Sequence, residues 1–280
     1  MTSITVGVTL LVLLAGLLHA VWNAIAKQIG DPLVGFTLLN VGVAVPSLVA
    51  LPLIGLPNGA SRGYLAAAVV CHLLYEIFLM QAYRHGSLSR SYPIARGVAP
   101  MLTTVGGLVF ADERVRGLAL VGVVVVVAGT ISLALFDRVA TSRTAVVWAL
   151  MTGVAIAVYT VIDGLGVRAS AAPLKYTMAL FAVQGTLFVV GAVLRLPASA
   201  WPSLATTAAG IGGGVLSLIG YGTVLYAQTR APLGVVSAVR ETGVIWAAVI
   251  GVVLFREPGG WRIVVAASTV LVGITCIAVT

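Results

Sequence analysis

The stretch YLAAAVVCHLLYEIFLMQAY, Tyr64 to Tyr83, decides how this chain is read. It is a continuous apolar run of the length that crosses hydrocarbon as a helix, about 20 residues. Near its centre stands Glu76, four positions after His72. A carboxylate at the middle of a bilayer costs roughly 2.5–3.5 kcal/mol on insertion scales. That cost is tolerated where the side chain meets a partner or a wet cavity inside a bundle, so this helix is expected to line a route for a solute.

The rest of the 280-residue chain agrees with that reading. It is 60% hydrophobic and only 9% charged, against about 25% charge in a soluble domain. This composition describes a multi-pass, all-α membrane protein whose main partner is the lipid bilayer. The net charge of +8 is spread over short loops. It forms no basic stripe of the kind nucleic-acid binding needs, and it suits anionic lipid headgroups. Cys71 and Cys276 both fall within apolar runs and read as small buried hydrophobes. Arginine heavily outnumbers lysine, which occurs only at Lys27 and Lys175. This usage points to a GC-rich bacterial genome and hence to the cytoplasmic (inner) membrane. Ala24-Ile25-Ala26 resembles a signal-peptidase site, but Met1 to Leu18 carries no Lys or Arg. The run there is longer than a signal-peptide core of about 7–15 residues, so it is expected to remain as a first transmembrane helix.

Measured by span length, the chain divides into ten apolar segments near 4–27, 33–56, 63–84, 88–110, 117–136, 144–167, 174–194, 203–229, 233–255 and 260–279. The breaks fall at turn chemistry such as Gly30-Asp31-Pro32, Pro57-Asn58-Gly59 and Ala231-Pro232. The two halves also resemble each other. GLVFADE (107–113) aligns with GVVLFRE (251–257), and GTISLAL (129–135) with GITCIAV (273–279) at the same offset. Arg96 then falls on Arg240 and, with one gap, Glu76 on Tyr221. A five-helix unit repeated once inserts in opposite senses, because five is odd. The expected architecture is ten transmembrane helices in two inverted repeats, 1–140 and 141–280, an arrangement common among secondary transporters. The loop charges are nearly balanced between the two sides, so the positive-inside rule sets no orientation.

Polar pairs spaced i, i+4 share one helix face: His19–Asn23, His72–Glu76, Tyr92–Arg96, Tyr159–Asp163 and Ser237–Glu241. A lipid-facing surface gains nothing from them, so these faces are expected to point inward, to hold either a solute or a neighbouring helix. Asp163 stands near the expected end of its span, where it either snorkels or pairs with Arg168. Arg96 and Arg240 take matching places in the repeat. Each offers a fork of donors to a carboxylate or phosphate unless Glu76 and Glu241 neutralise it. Pro93 and Pro100 bracket Arg96 and remove backbone donors, which makes the fourth span the expected site of a break or gate. Gly210, Gly212 to Gly214, Gly220 and Gly222 give the eighth span a smooth face for close packing, with Tyr221 and Gln228 as the polar groups it offers inward. Trp22, beside Asn23, reads either as an apolar wall for a solute or as core packing. No His-Glu-x-x-His pair and no Gly-x-Ser-x-Gly elbow occurs. The residues therefore suggest neither an enzyme nor a bound cofactor or metal.

HAVWNAIAK (19–27), YRHGSLSRSYPIARGVAP (83–100) and YTVIDGLGVR (159–168) resemble the EamA-type family of the drug/metabolite transporter superfamily. The resemblance implies a central cavity lined by helices one, three, four, six, eight and nine, with five and ten peripheral. It also implies both termini on the cytoplasmic side and outward movement of small metabolites or drugs, in some members coupled to protons. The small four-helix relatives carry a carboxylate in the first helix, where this chain has His19 and Asn23.

The expected function is alternating-access transport, in the export direction by that resemblance, of a small polar metabolite such as an amino acid or organic acid. The expected substrate-binding residues are Asn23, Glu76, Tyr92, Arg96, Tyr159, Tyr221, Arg240 and Glu241. Arg96 is expected to hold a carboxylate with help from Tyr92 and Arg240. Glu76 is expected to meet an amine or carry a coupling proton, tuned by His72. His19, Trp22, Asp163 and Gln228 are further expected cavity residues. The competing readings are an exporter of lipophilic cations and a non-transporting sensor or assembly component. A monomer or weak homo-oligomer is expected.

Overall fold

A computed structural model describes residues 4–85, 88–115, 117–136, 142–255 and 260–279. The described residues form helices α1 (Val6–Ile29), α2 (Pro32–Ile54), α3 (Arg62–His85), α4 (Leu88–Phe110), α5 (Gly117–Phe136) and α6 (Arg143–Ser170). These are followed by α7 (Pro173–Val193), α8 (Leu204–Gln228), α9 (Leu233–Arg240), α10 (Thr242–Phe255) and α11 (Gly260–Ala278), with no strand among the described residues. Seven of them, α1 to α4 and α6 to α8, are long and apolar enough to cross a membrane by length and composition.

Local chemistry sets the helix ends. Gly30 takes φ +85°, which a side chain would resist. Asp31 then accepts from the Leu33 and Val34 N–H groups at 2.8 and 3.1 Å, and Pro32 opens α2 at the position where its missing donor costs nothing. Ser142 and Ser203 cap α6 and α8 in the same way. Asn58 donates to the Ala169 and Ser170 carbonyls, satisfying the end of α6 from another loop.

Burial differs from that of a soluble protein at the outer face and in the charged groups it encloses. Leu10, Val49, Leu53, Val105 and Val109 stand on the outside, while Asn40, His72, Arg96, Asp163, Gln184, Arg240 and Glu241 are buried. An apolar outer face around a packed apolar core that also encloses these polar groups suits hydrocarbon as the surrounding solvent. The chain is an all-α, multi-pass membrane protein. Without a hydrophobic drive between helices, close packing carries their association, and glycines supply it. At the α2–α8 crossing, a Cβ on Gly42 would strike the Ile211 carbonyl oxygen and one on Gly214 would strike that of Leu39. Gly122 of α5 and Gly273 of α11 approach each other in the same manner.

The interruption falls in a different place from the one expected. Helix α4 runs unbroken through Pro93 and Pro100, and Thr104 Oγ1 donates to the Pro100 carbonyl. The break lies instead between α9 and α10, at Glu241. There the ladder tightens into i→i+3 bonds, Glu241 N–H to Ala238 O and Val244 N–H to Glu241 O. Two tertiary contacts hold that turn. Arg96 grips the Glu241 carboxylate, and Gly16 of α1 presses on Gly243, with a Cβ there only 3.1 Å from the Gly243 nitrogen. Neither contact is visible in local sequence, which marked the prolines instead.

Candidate functional site

One cavity opens in the middle of the bundle between α1, α2, α3, α6, α7, α8 and α9. Its polar lining is His19, Asn40, His72, Glu76, Gln184, Ser217 and Arg240, set among the aromatic side chains of Trp22, Phe36, Tyr75, Tyr159, Phe181 and Tyr221. Helices α2 and α7 thus join the lining. Helix α4, expected there from the family resemblance, sends Arg96 to Glu241, and none of its described side chains lines the cavity.

Glu76 meets two amides. Asn40 Nδ2 donates to its Oε1 and Gln184 Nε2 to its Oε2, each at 3.0 Å. Among the described residues no Lys, Arg or His lies within ion-pair distance of it. His72, expected to tune Glu76, turns away: its Nε2 lies 2.8 Å from Asp163 Oδ2. The His72 ring stacks on Tyr159 at 4.1 Å and meets Tyr221 edge-on at 5.4 Å.

Asp163 differs from its expected setting. Helix α6 continues to Ser170, so Asp163 is not at a helix end and is fully buried. It accepts from Tyr176 OH at 3.0 Å and from Tyr221 OH as well as facing His72. It lies behind the cavity wall and props Tyr221 and His72. Arg168, its expected partner, is engaged elsewhere.

Arg96 and Glu241 form a buried ion pair, with one hydrogen bond from Nε to Oε2 at 3.1 Å and an ionic contact of 3.0 Å between Nη2 and Oε1. The side chains are 4% and 0% exposed, so solvent screens them little. Arg96 is therefore spent within the protein, contrary to its expected role as the carboxylate anchor. Arg240 takes the position that Arg96 was expected to hold. It is buried and lines the cavity, its Nε and Nη2 lack hydrogen-bond partners, and no carboxylate lies within ion-pair distance among the described residues.

The remaining expected residues are placed as follows. His19 and Trp22 line the cavity edge-to-face at 4.9 Å. Asn23 donates to the His19 carbonyl at 2.7 Å and borders an outer pocket with Ala26, Gly30, Pro32, Gly35 and Tyr83. That pocket shares Trp22 and Phe36 with the cavity. Gln228 is buried away from the cavity, and its carbonyl accepts from Arg168. The Tyr92 side chain lies outside the described residues. Asn40 and Gln184 escaped the sequence reading because neither has a polar neighbour four residues away. The usable signal was a lone amide in the middle of an apolar run.

A second polar assembly closes one end of the bundle. Arg168 Nη2 donates to Glu113 Oε1 at 2.6 Å and to Ala231 O at 3.0 Å, and its Nε donates to Gln228 O at 2.8 Å. Both Glu113 oxygens accept the Leu233 N–H, at 3.0 and 2.9 Å, so Glu113 caps α9, whose N-cap Pro232 offers no side-chain bond. This knot stands at the C-terminal end of α8. The outer pocket stands at the other end, because α1 runs antiparallel to α8, placing Leu18 near Gly220 and Ile29 near Gly210.

Comparison with solved structures finds 27 matching chains. One, a crystal structure, aligns with a TM-score of 0.78 over 98% of this chain and 97% of its own, at 16% sequence identity. At that identity the likeness shows the fold alone. No family model and no curated protein matches the chain.

Proposed function

We propose that the protein is a secondary transporter of the EamA type, carrying a small zwitterionic, amino-acid-like metabolite across the cytoplasmic membrane by alternating access, outward from the cell. One observation carries this reading. Among the described residues, the cavity is faced by an acid without a base, Glu76, and by a base without an acid, Arg240. Among the described residues the other buried acids are matched: Asp163 with His72, Glu241 with Arg96 and Glu113 with Arg168. Opposite unmatched charges in one desolvated space are complementary to a dipolar solute, its ammonium toward Glu76 and its carboxylate in the guanidinium fork.

The inverted-repeat reading, with ten spans and α9–α10 counted as one, has support in the packing. Exchanging the first five spans with the last five turns the α3–α6 contact into α8–α1 and the α4–α6 contact into α9–α10 against α1. All of these contacts are extensive. In this conformation the solute path would run from the outer pocket to Glu76 and stop at the Glu113–Arg168 knot.

The ring cluster of Tyr159, Phe181 and Tyr221 around His72 favours a second reading, export of lipophilic cations by ring-face attraction. Thermal-shift screening of purified protein against amino acids, organic acids and lipophilic cations separates the two. Saturating ligand at about 100 times its Kd stabilises by about 2.7 kcal/mol. Stabilisation by a zwitterion that is lost in both Arg240→Ala and Glu76→Ala supports the proposal. Stabilisation by lipophilic cations alone, unaffected by Arg240→Ala, replaces it with the second reading.

A further inference from the structure

Hydrogen-bond direction around Glu76 can be traced without knowing any hydrogen position in advance. The Phe36 carbonyl is only an acceptor, so the Asn40 atom 2.9 Å from it is the NH2 end of that amide. The Asn40 Oδ1 must then accept, and it does so from Gln184 Nε2 at 3.0 Å, which fixes the second amide as well. Each NH2 group has one hydrogen left. Both remaining hydrogens point at Glu76, one to each carboxylate oxygen. The two amides are 2% exposed, and their spacing is set by backbone. Gly185, next to Gln184, lets α7 close on α2, a Cβ there standing 3.1 Å from the Asn40 carbonyl oxygen.

A protonated Glu76 would need an acceptor for its O–H, but both oxygens face N–H donors and no protein acceptor is bonded to it among the described residues. The titratable groups facing the same cavity are His19 of α1, His72 and Tyr75 of α3, Tyr159 of α6, Tyr221 of α8 and Arg240 of α9, and none is bonded to Glu76. Neutral amides orient the carboxylate without cancelling its charge, as an arginine would.

We infer that Asn40 and Gln184 are positioning residues that hold Glu76 as a fixed carboxylate, so that the cavity selects a solute bearing an ammonium group and Glu76 never carries a proton during transport. The inference rests on the transport reading of the cavity, and it departs from the proton-carrying role that the sequence suggested for Glu76. It also leaves Arg240 as the determinant that separates a zwitterion from a simple amine.

The test is infrared difference spectroscopy of the purified full chain from about pH 8 to about pH 5, a window in which ordinary carboxyls remain ionised. The readout is the C=O stretch of a protonated carboxylic acid, assigned to Glu76 by its loss in Glu76→Gln. The expected result is no such band in the native chain and a titrating band in Gln184→Met, which keeps side-chain length but removes the donor. A titrating Glu76 band in the native chain overturns the inference, and so does absence of the band in Gln184→Met. Asn40→Leu repeats the test should Gln184→Met fail to fold. The measurement needs no ligand, so failure of the transport reading, seen as no zwitterion stabilising the protein, is separate from failure here.

Discussion

Replacing Glu241 by leucine would leave the Arg96 guanidinium buried, 3% exposed, without its carboxylate partner. Removing one member of a buried pair costs about 3–5 kcal/mol, because the other charge stays desolvated. Interhelical polar contacts in membranes are often worth less, about 0.6–2 kcal/mol, since the unfolded chain in lipid finds other partners. The structure argues for the lower part of the larger range, as Glu241 also sits at the helix break. At about 2–4 °C per kcal/mol for a chain of this class, the apparent Tm of Glu241→Leu should fall by roughly 10 °C. The double variant Arg96→Met/Glu241→Leu removes both charges, keeps volume and should recover most of that loss. The assay is fluorescence-monitored unfolding of purified protein in detergent at one scan rate, since such unfolding is often irreversible. If Glu241→Leu were no less stable than the double variant, Arg96 would not depend on Glu241 and the pairing argument would fail. If Arg96 anchors the solute instead, Arg96→Met alone should abolish ligand stabilisation while leaving the ligand-free Tm unchanged.

Three further outcomes follow from the packing. Gly214→Ala places a methyl against the Leu39 carbonyl and the Gly42 backbone; it should cost about 1–3 kcal/mol, whereas Gly212→Ala meets nothing within 4 Å and should be neutral or stabilising by up to about 1 kcal/mol, both read by Tm. Asp163→Ala strands the His72, Tyr176 and Tyr221 donors, at about 1–3 kcal/mol for each group left unsatisfied; a Tm equal to that of Tyr176→Phe would contradict the three-donor arrangement. Glu113→Ala should free the end of α9, so that Ala231→Cys, with Cys71 and Cys276 replaced by alanine, reacts roughly tenfold faster with a thiol reagent; unchanged labelling would show that the knot does not close that end.

The sequence by itself determined what is local. Apolar runs bounded by Gly30-Asp31-Pro32, Pro57-Asn58-Gly59 and Ala231-Pro232 became helices whose ends lie within a few residues of the turn chemistry, because caps and hydropathy act over neighbouring residues. Glu76 within an apolar run was legible as an inward-facing group for the same reason, since its depth in its own helix already makes lipid exposure costly. Tertiary structure alone decided which charge meets which. His72 and Glu76 share a face at i, i+4, yet the imidazole pairs 91 residues away with Asp163, and Arg96 is spent on Glu241 across 145 residues. Local spacing shows that two groups can face inward, but not which opposite helix arrives beside them. Partner choice in a low-dielectric interior is a property of the whole packing, settled where Gly42 meets Gly214 and Gly16 meets Gly243. Those approaches fix which two unmatched groups, Glu76 and Arg240, are left facing the cavity.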